Sequence, residues 1–489
     1  MKSISNAASS ADRRWLSGAL AVGFVLRLAF LLKGATLYYG AGQEHLNGDS
    51  FSFTRSFLNL WHTGHYTLEP LIPDASFGRL PGYPFFYGVH YVLFGSRWVL
   101  PALSVSQLLL DITVIALLHN LLRRWTGQVG PARLVAFLYA TYPFAIIWVT
   151  VAGTETLNTF CTVAWLSVLT RAPANKQSRR HYVAVGLLSA LTFFVRVYMG
   201  VLLPIAVLFA WYWPRASMKL RWQRVAWVAL GFGVLYAWWP LRNYVNHGRV
   251  VLVKPASAGY ANQREDMQAY LDWLHCWTND NTTWVEGLVQ DKPLYYPNDV
   301  FANPAEARRA DALTQLAARC GSSFHLRRLD THDYRLVVPA RFCNCNAQIA
   351  AGFDSLQRSF RRRQPIMYYT RVPLANLGKA FCKSATIHPG GSTAKMLMQH
   401  LLFGYRTVLL LLGVAGLAAA WRRPYFWPVS AYFAFIYLYT SFEFRSLEMR
   451  YLLQADVLLL LPAAHVLARY AAKHASRWRK LVYAGQINA

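Results

Sequence analysis

Apolar stretches of bilayer-crossing length recur along the whole chain, and no other feature restricts its fold so strongly. A hydrocarbon core about 30 Å thick takes roughly 20 helical residues. By that measure candidate spans lie at Trp15–Leu32, Val99–Leu122, Leu134–Val151, Asn158–Leu169, Tyr182–Met199, Gly200–Trp213, Val225–Trp239, Leu401–Ala420, Trp427–Tyr439 and Leu452–Ala468. The expectation is an all-α polytopic membrane protein with about ten transmembrane helices. Composition agrees: of 489 residues, 55% are hydrophobic and 15% charged, where soluble domains carry about 25% charge. The apolar run nearest Met1 is long for a signal core and is expected to be the first span.

Basic residues orient such a bundle, because loops rich in Lys and Arg stay cytoplasmic. Arg13 and Arg14 precede the first span and Arg123 and Arg124 follow the second. Further clusters lie at Arg171 to Arg180, Arg215 to Arg224, Arg422 and Arg423, and Arg469 to Lys480. Ten spans put every cluster on one face, so both termini are expected in the cytoplasm of a bacterial cell, with the protein in its inner membrane. The net charge of +28 does not argue for nucleic acid. Its basic residues are scattered over inter-span loops, where headgroup anchoring accounts for them.

Two stretches escape the membrane pattern, and the topology expects both outside, in the periplasm. The expected division is an N-terminal transmembrane core, 1–242, with a first outer loop at 33–97; a second outer loop, 243–400; and C-terminal spans with a basic tail, 401–489. The second loop contains helix-like pieces at Ala305–Ala318 and Ala347–Arg358. It also holds Cys276, Cys320, Cys343, Cys345 and Cys382. Outside the cytoplasm one or two disulfides are expected among these, with an odd thiol left over. One residue between Cys343 and Cys345 is too few for a zinc pair.

The first loop opens on Asn47-Gly48-Asp49-Ser50, followed by Phe53, Phe57, Leu58, Leu60 and Trp61. That spacing predicts a helix with its apolar face on the membrane surface. Asp49 then stands at its first turn, as a cap, as a chemically active carboxylate, or as both. Arg79-Leu-Pro81-Gly82-Tyr83-Pro84 gives a rigid lead into a second surface helix ending near Gly95. Arg79 is there either a headgroup anchor or a clamp on phosphate, which a planar guanidinium suits. Glu155 opens the fourth span from outside, Arg196 interrupts a long apolar run, and Arg242 follows Pro240 at the exit of the seventh span. Glu443, Arg445, Glu448, Arg450 and Tyr451 crowd the start of the tenth. Carboxylates and guanidiniums thus collect at one boundary, a mixture suited to an anionic phosphate ligand and a carboxylate base. Asp111, inside the second span, reads as an interior structural partner.

This ordered set resembles the GT-C superfamily of membrane glycosyltransferases, in particular its protein O-mannosyltransferases and the lipid A aminoarabinose transferase. The matching landmarks are Asp49, the Arg79 to Pro84 block, Glu155, Arg196, the Pro240-Leu-Arg242-Asn243-Tyr244 exit and the Arg450-Tyr451-Leu-Leu start of a late span. The resemblance implies a GT-C helical bundle that uses a polyprenyl-phosphate sugar at its periplasmic side and inverts the anomeric carbon. It makes Asp49 the general base. Arg79, Arg196, Arg242, Arg450 and Tyr83 would bind the donor phosphate or lipid, and Glu155, Glu443 and Tyr451 would shape the acceptor side. A divalent metal, Mg or Mn, stays open, and the acceptor is a glycan, lipid or protein. The chain departs from the pattern in carrying its large loop between spans seven and eight rather than a C-terminal soluble domain, and at two places in the first loop. Ser50 follows Asp49 where many members carry a second acid, and Ser52-Phe53 stands where the lipid A enzyme has Arg-Tyr.

A transporter or flippase of a lipid-linked anion, or a non-catalytic partner in envelope polysaccharide assembly, is the other reading. Transporters place polar groups near the midplane of two related halves. Here the polar groups stand at a boundary, and no internal repeat is evident.

Overall fold

The computed structural model describes residues 10–47, 49–70, 73–171, 179–213, 216–253, 264–279, 281–289, 292–324, 345–382, 393–445 and 447–487. Among these residues the secondary structure is helical throughout, with no strand. Each of the ten apolar stretches contains helix. Four helical segments, Ser10–Tyr39, Gly82–Thr126, Met396–Ala419 and Met449–His474, are long and apolar enough to cross a membrane alone. The chain is a multi-pass membrane protein whose apolar core joins residues from nearly every one of these helices.

The third stretch departs from its expected bounds. Helix Val129–Ala140 stops well before Val151, because Tyr142 precedes a proline and is extended, with φ −75° and ψ 105°. Backbone beyond that point needs side-chain partners if it is to lie in a bundle. Gln107 supplies them, donating to the carbonyls of Val149 (3.1 Å) and Val151 (2.9 Å), and Ser104 donates to Thr150 (2.8 Å). The strut of polar side chains delivers the chain to Gly153 and so fixes where helix Thr154–Leu169 begins.

Helix pairs approach closely where side chains are absent. A Cβ on Gly186 would lie 2.1 Å from the Val228 carbonyl oxygen, and one on Gly231 would lie 2.2 Å from that of Val183. Helices Arg179–Val195 and Met218–Tyr236 therefore meet backbone to backbone, as membrane helices do at small residues. Buried charges are paired across the bundle. Arg27 meets Asp111, which also accepts from Tyr139, and Arg406 meets Asp456 at 2.7 Å, with the Tyr437 hydroxyl 2.6 Å away. Asp111 is thus the interior partner that the sequence suggested.

The second loop folds around a core of its own, containing Met267, Tyr270, Trp273, Leu313, Ile349 and Phe353. Its helices Pro304–Cys320 and Asn346–Arg363 extend the two helix-like pieces seen in the sequence. Asn303 caps the first of them, accepting from the amides of Ala305 and Glu306 at 3.0 Å, with Pro304 at the first turn. One disulfide joins Cys320 to Cys345; Cys276 and Cys382 are free thiols, and Cys343 lies outside the described residues. Helix Glu265–Leu274 was not foreseen. It turns Met267, Tyr270, Trp273 and Leu274 into the core, with Leu271 packed against its edge, and leaves Gln268, Asp272 and His275 on the other side.

Candidate active site

Helix Ser50–Thr63 forms where the apolar spacing placed it, and Asp49 holds its N-cap position without capping it. The Ser52 hydroxyl and amide close the first turn on the Asp49 carbonyl, at 2.6 and 2.9 Å. The Asp49 side chain is left to form an ion pair with Arg450. Gly95, with φ +70°, ends the second surface helix where the sequence expected it.

Asp49 stands in a cavity of about 620 Å³, within the range of about 300–1,000 Å³ usual for ligand sites. Arg79, Tyr83, Arg196, Glu443, Arg450 and Tyr451 share its wall, as do Arg445 and Glu448. Seven of the nine residues expected at the site are thus brought together. The remaining two take other places. Glu155 is fully buried one layer behind, paired with Arg196. Arg242 donates to the carbonyls of Ser76 (3.1 Å) and Tyr66 (2.8 Å) and ties down the first loop, off the cavity wall.

Each guanidinium is held by a distinct set of groups. Arg79 donates to the Ser52 hydroxyl at 2.6 Å and lies 4.2 Å over the Phe53 ring. Ser52 and Phe53, two of the residues that depart from the pattern, therefore brace the arginine that keeps to it. Arg196 reaches Thr154, Glu155 and the Tyr198 hydroxyl. Arg450 reaches Glu448 at 2.5 Å and the Tyr451 hydroxyl at 3.2 Å besides Asp49. Tyr83 is completely buried, and its hydroxyl is spent on Gln107 at 3.1 Å.

Burial alone would push the Asp49 carboxyl upward; the guanidiniums of Arg450, Arg79 and Arg196 outweigh it and hold the group below the usual carboxylate range. Burial pulls Arg79 down to about 10, and Asp49 opposes the shift. Both groups are charged at neutral pH. Among the described residues no three His, Cys, Asp or Glu side chains converge as a cation site. Asp49 and Glu448 are both taken by Arg450, so this donor set does not suit a divalent ion.

Some members of the site were missed in the sequence. Tyr198 and Gln454 link the layers: Gln454 accepts from Tyr198 (3.4 Å) and donates to the Glu155 carbonyl (3.4 Å) and the Thr159 hydroxyl (3.3 Å). A glutamine in the apolar run after Tyr451 was the available signal. Gln268, Asp272, His275, Gln357 and Tyr368 of the second loop also line the cavity. Nothing in their local sequence marks them.

No protein-family model matches this chain, and no curated protein matches it. Solved structures do. The oligosaccharyltransferase of Archaeoglobus fulgidus in its apo form is 12% identical with a TM-score of 0.52, over 97% of this chain and 53% of that one. The same enzyme, AglB, in complex with an inhibitory peptide and a dolichol-phosphate gives 12% and 0.51, over 96% and 52%. ArnT from Cupriavidus metallidurans in the apo state is 15% identical with a TM-score of 0.38, over 93% and 78%. The chain spans about half the length of the archaeal structures it matches. Over nearly its whole length it is similar in fold to the GT-C membrane glycosyltransferases.

Proposed function

We propose that the chain is an inverting glycosyltransferase that moves a sugar from a polyprenyl-phosphate donor to an acceptor hydroxyl, at the periplasmic side of a bacterial inner membrane. One observation carries this reading: the carboxylate of Asp49 stands in a cavity among the guanidiniums of Arg79, Arg196 and Arg450, which hold it ionised. In the reaction the acceptor hydroxyl gives its proton to Asp49. Its oxygen bonds to the anomeric carbon on the face opposite the phosphate. The bond from that carbon to the phosphate oxygen breaks, and its electron pair stays on the phosphate. A phosphate leaves without protonation, so a base and fixed cations suffice. Arg79 and Arg450 meet the growing negative charge, and the buried Glu155–Arg196 pair keeps the wall behind them in place.

A small slot of about 50 Å³ adjoins the cavity, sharing Tyr198, Tyr439, Phe444 and Tyr451 with it and adding Ile436 and Thr440. The dolichol-phosphate in the archaeal neighbour is a ligand of the same chemistry as the proposed donor lipid. The test is sugar transfer from polyprenyl-phosphate donors by purified protein in liposomes. Asp49→Asn keeps the size of the side chain and removes the base, and transfer should fall by about 10²–10⁴. Full activity in that variant overturns the mechanism.

A further inference from the structure

We infer that the acceptor is an uncharged, hydroxyl-rich carbohydrate, and that the second loop recognises it through Gln268, Asp272 and Gln357. The inference rests on the glycosyl-transfer reading above and assigns the side of the cavity which that reading leaves undetermined.

Helix Glu265–Leu274 is amphipathic, and an amphipathic helix ordinarily gives its polar stripe to water. Here Gln268, Asp272 and His275, spaced as one helical face, line the cavity that contains Asp49, beside Leu271, which also packs on the loop's core. Gln357, from helix Asn346–Arg363, lines it too. The groups are already arranged as a set. The Gln268 amide donates to the Asp272 carboxylate at 2.9 Å, and the Gln357 amide donates to the Asp272 carbonyl at 3.4 Å. Amides and a carboxylate offer both donors and acceptors within a small area, which is what neighbouring hydroxyls require.

The charge on this wall selects against the other acceptor classes. Among the described second-loop residues that line the cavity, Asp272 is the charged one, so a phosphorylated acceptor lying against this wall would bring its negative charge to a carboxylate. The arginine from this region, Arg445, is engaged by backbone: it donates to the carbonyls of His275 and Tyr368, both at 2.8 Å. A peptide acceptor would need apolar pockets for its side chains. Among these loop residues the wall offers only Leu271 and the Tyr368 ring, which lies 3.9 Å under Arg445.

Binding by ligand-observed NMR tests the inference on the full-length protein in detergent, with a panel of neutral oligosaccharides, a Ser/Thr-containing peptide and a phosphorylated disaccharide lipid. The parent should bind a neutral oligosaccharide. Gln357→Ala should weaken that binding at least tenfold, because a site built for hydroxyls loses much when one partner is removed. Gln268→Ala, at an exposed position that folding tolerates, should weaken it in the same direction. Polyprenyl phosphate affinity should instead respond to Arg79→Ala. Binding of the phosphorylated lipid or the peptide in place of the oligosaccharide overturns the inference, as does oligosaccharide binding indifferent to both loop variants. If no donor supports transfer yet the oligosaccharide binds at this wall, the glycosyl-transfer reading fails and the binding site stands.

Discussion

Arg450 closes on Asp49 across 401 residues of sequence, and the same guanidinium reaches Glu448 and the Tyr451 hydroxyl. One side chain at the head of helix Met449–Ile487 thus sets both the position and the charge of the carboxylate on the first loop.

The pH dependence of transfer follows from this contact. Asp49 is held below the ordinary carboxylate range chiefly by Arg450 acting against burial. The base is ionised throughout neutral pH, and the rate falls only as pH drops through that lowered value. In Arg450→Gln the largest of the three opposing cations is lost and Arg79 and Arg196 alone act against burial, so the acid limb should move upward. A pH profile of kcat/KM whose acid limb stays in place would disconnect Asp49 from the reaction.

Arg79 should act on the donor. Losing a charged hydrogen bond costs about 1.5–3 kcal/mol, which is roughly 10- to 100-fold, so Arg79→Ala should raise donor KM by that factor. Ser52→Ala removes only the brace and should raise it less. Titration with polyprenyl phosphate against the uncharged polyprenol separates a phosphate contact from a packing defect, since Arg79→Ala should weaken only the former.

Within the bundle, Arg27 and Asp111 are fully buried together. Removing one partner strands a charge, and Arg27→Ala should cost about 3–5 kcal/mol. The paired change Arg27→Met with Asp111→Leu should recover most of the loss. Thermal unfolding in detergent reads both, and equal damage from the single and double variants would refute the argument.

The Cys320–Cys345 disulfide closes a separation of 25 residues in the second loop. In the chain-entropy estimate a loop of that length contributes about 3–4 kcal/mol. Replacing both cysteines with serine should expose the loop unit to limited proteolysis while the membrane helices stay protected. An unchanged cleavage pattern would mean that the core around Trp273 and Phe353 suffices.

Much of this was legible in the sequence because bilayer-length apolar runs and charged boundary residues are local signals. Asp49, Arg79, Arg196 and Arg450 stood out because charges interrupt apolar surroundings. Arg242 stood out for the same reason and proved to hold carbonyls of the first loop, since a boundary charge does not disclose its partner. The polar strut of Gln107 and Ser104 was invisible, because its acceptors lie more than 40 residues away in an interrupted helix. Gln268, Asp272 and Gln357 escaped notice for a related reason: a polar stripe on an amphipathic helix reads as a solvated face until the opposite wall is known.

The long sequence gap between Asp49 and Arg450 has a consequence for biosynthesis. Chains emerge from the ribosome in order, so Asp49 reaches its side of the bilayer well before the helix that begins at Met449 is made. Until that helix inserts, the carboxylate lacks the counter-charge that tunes it, and the cavity lacks one wall. On the proposed reading, competence for transfer is therefore a late event in the assembly of the molecule.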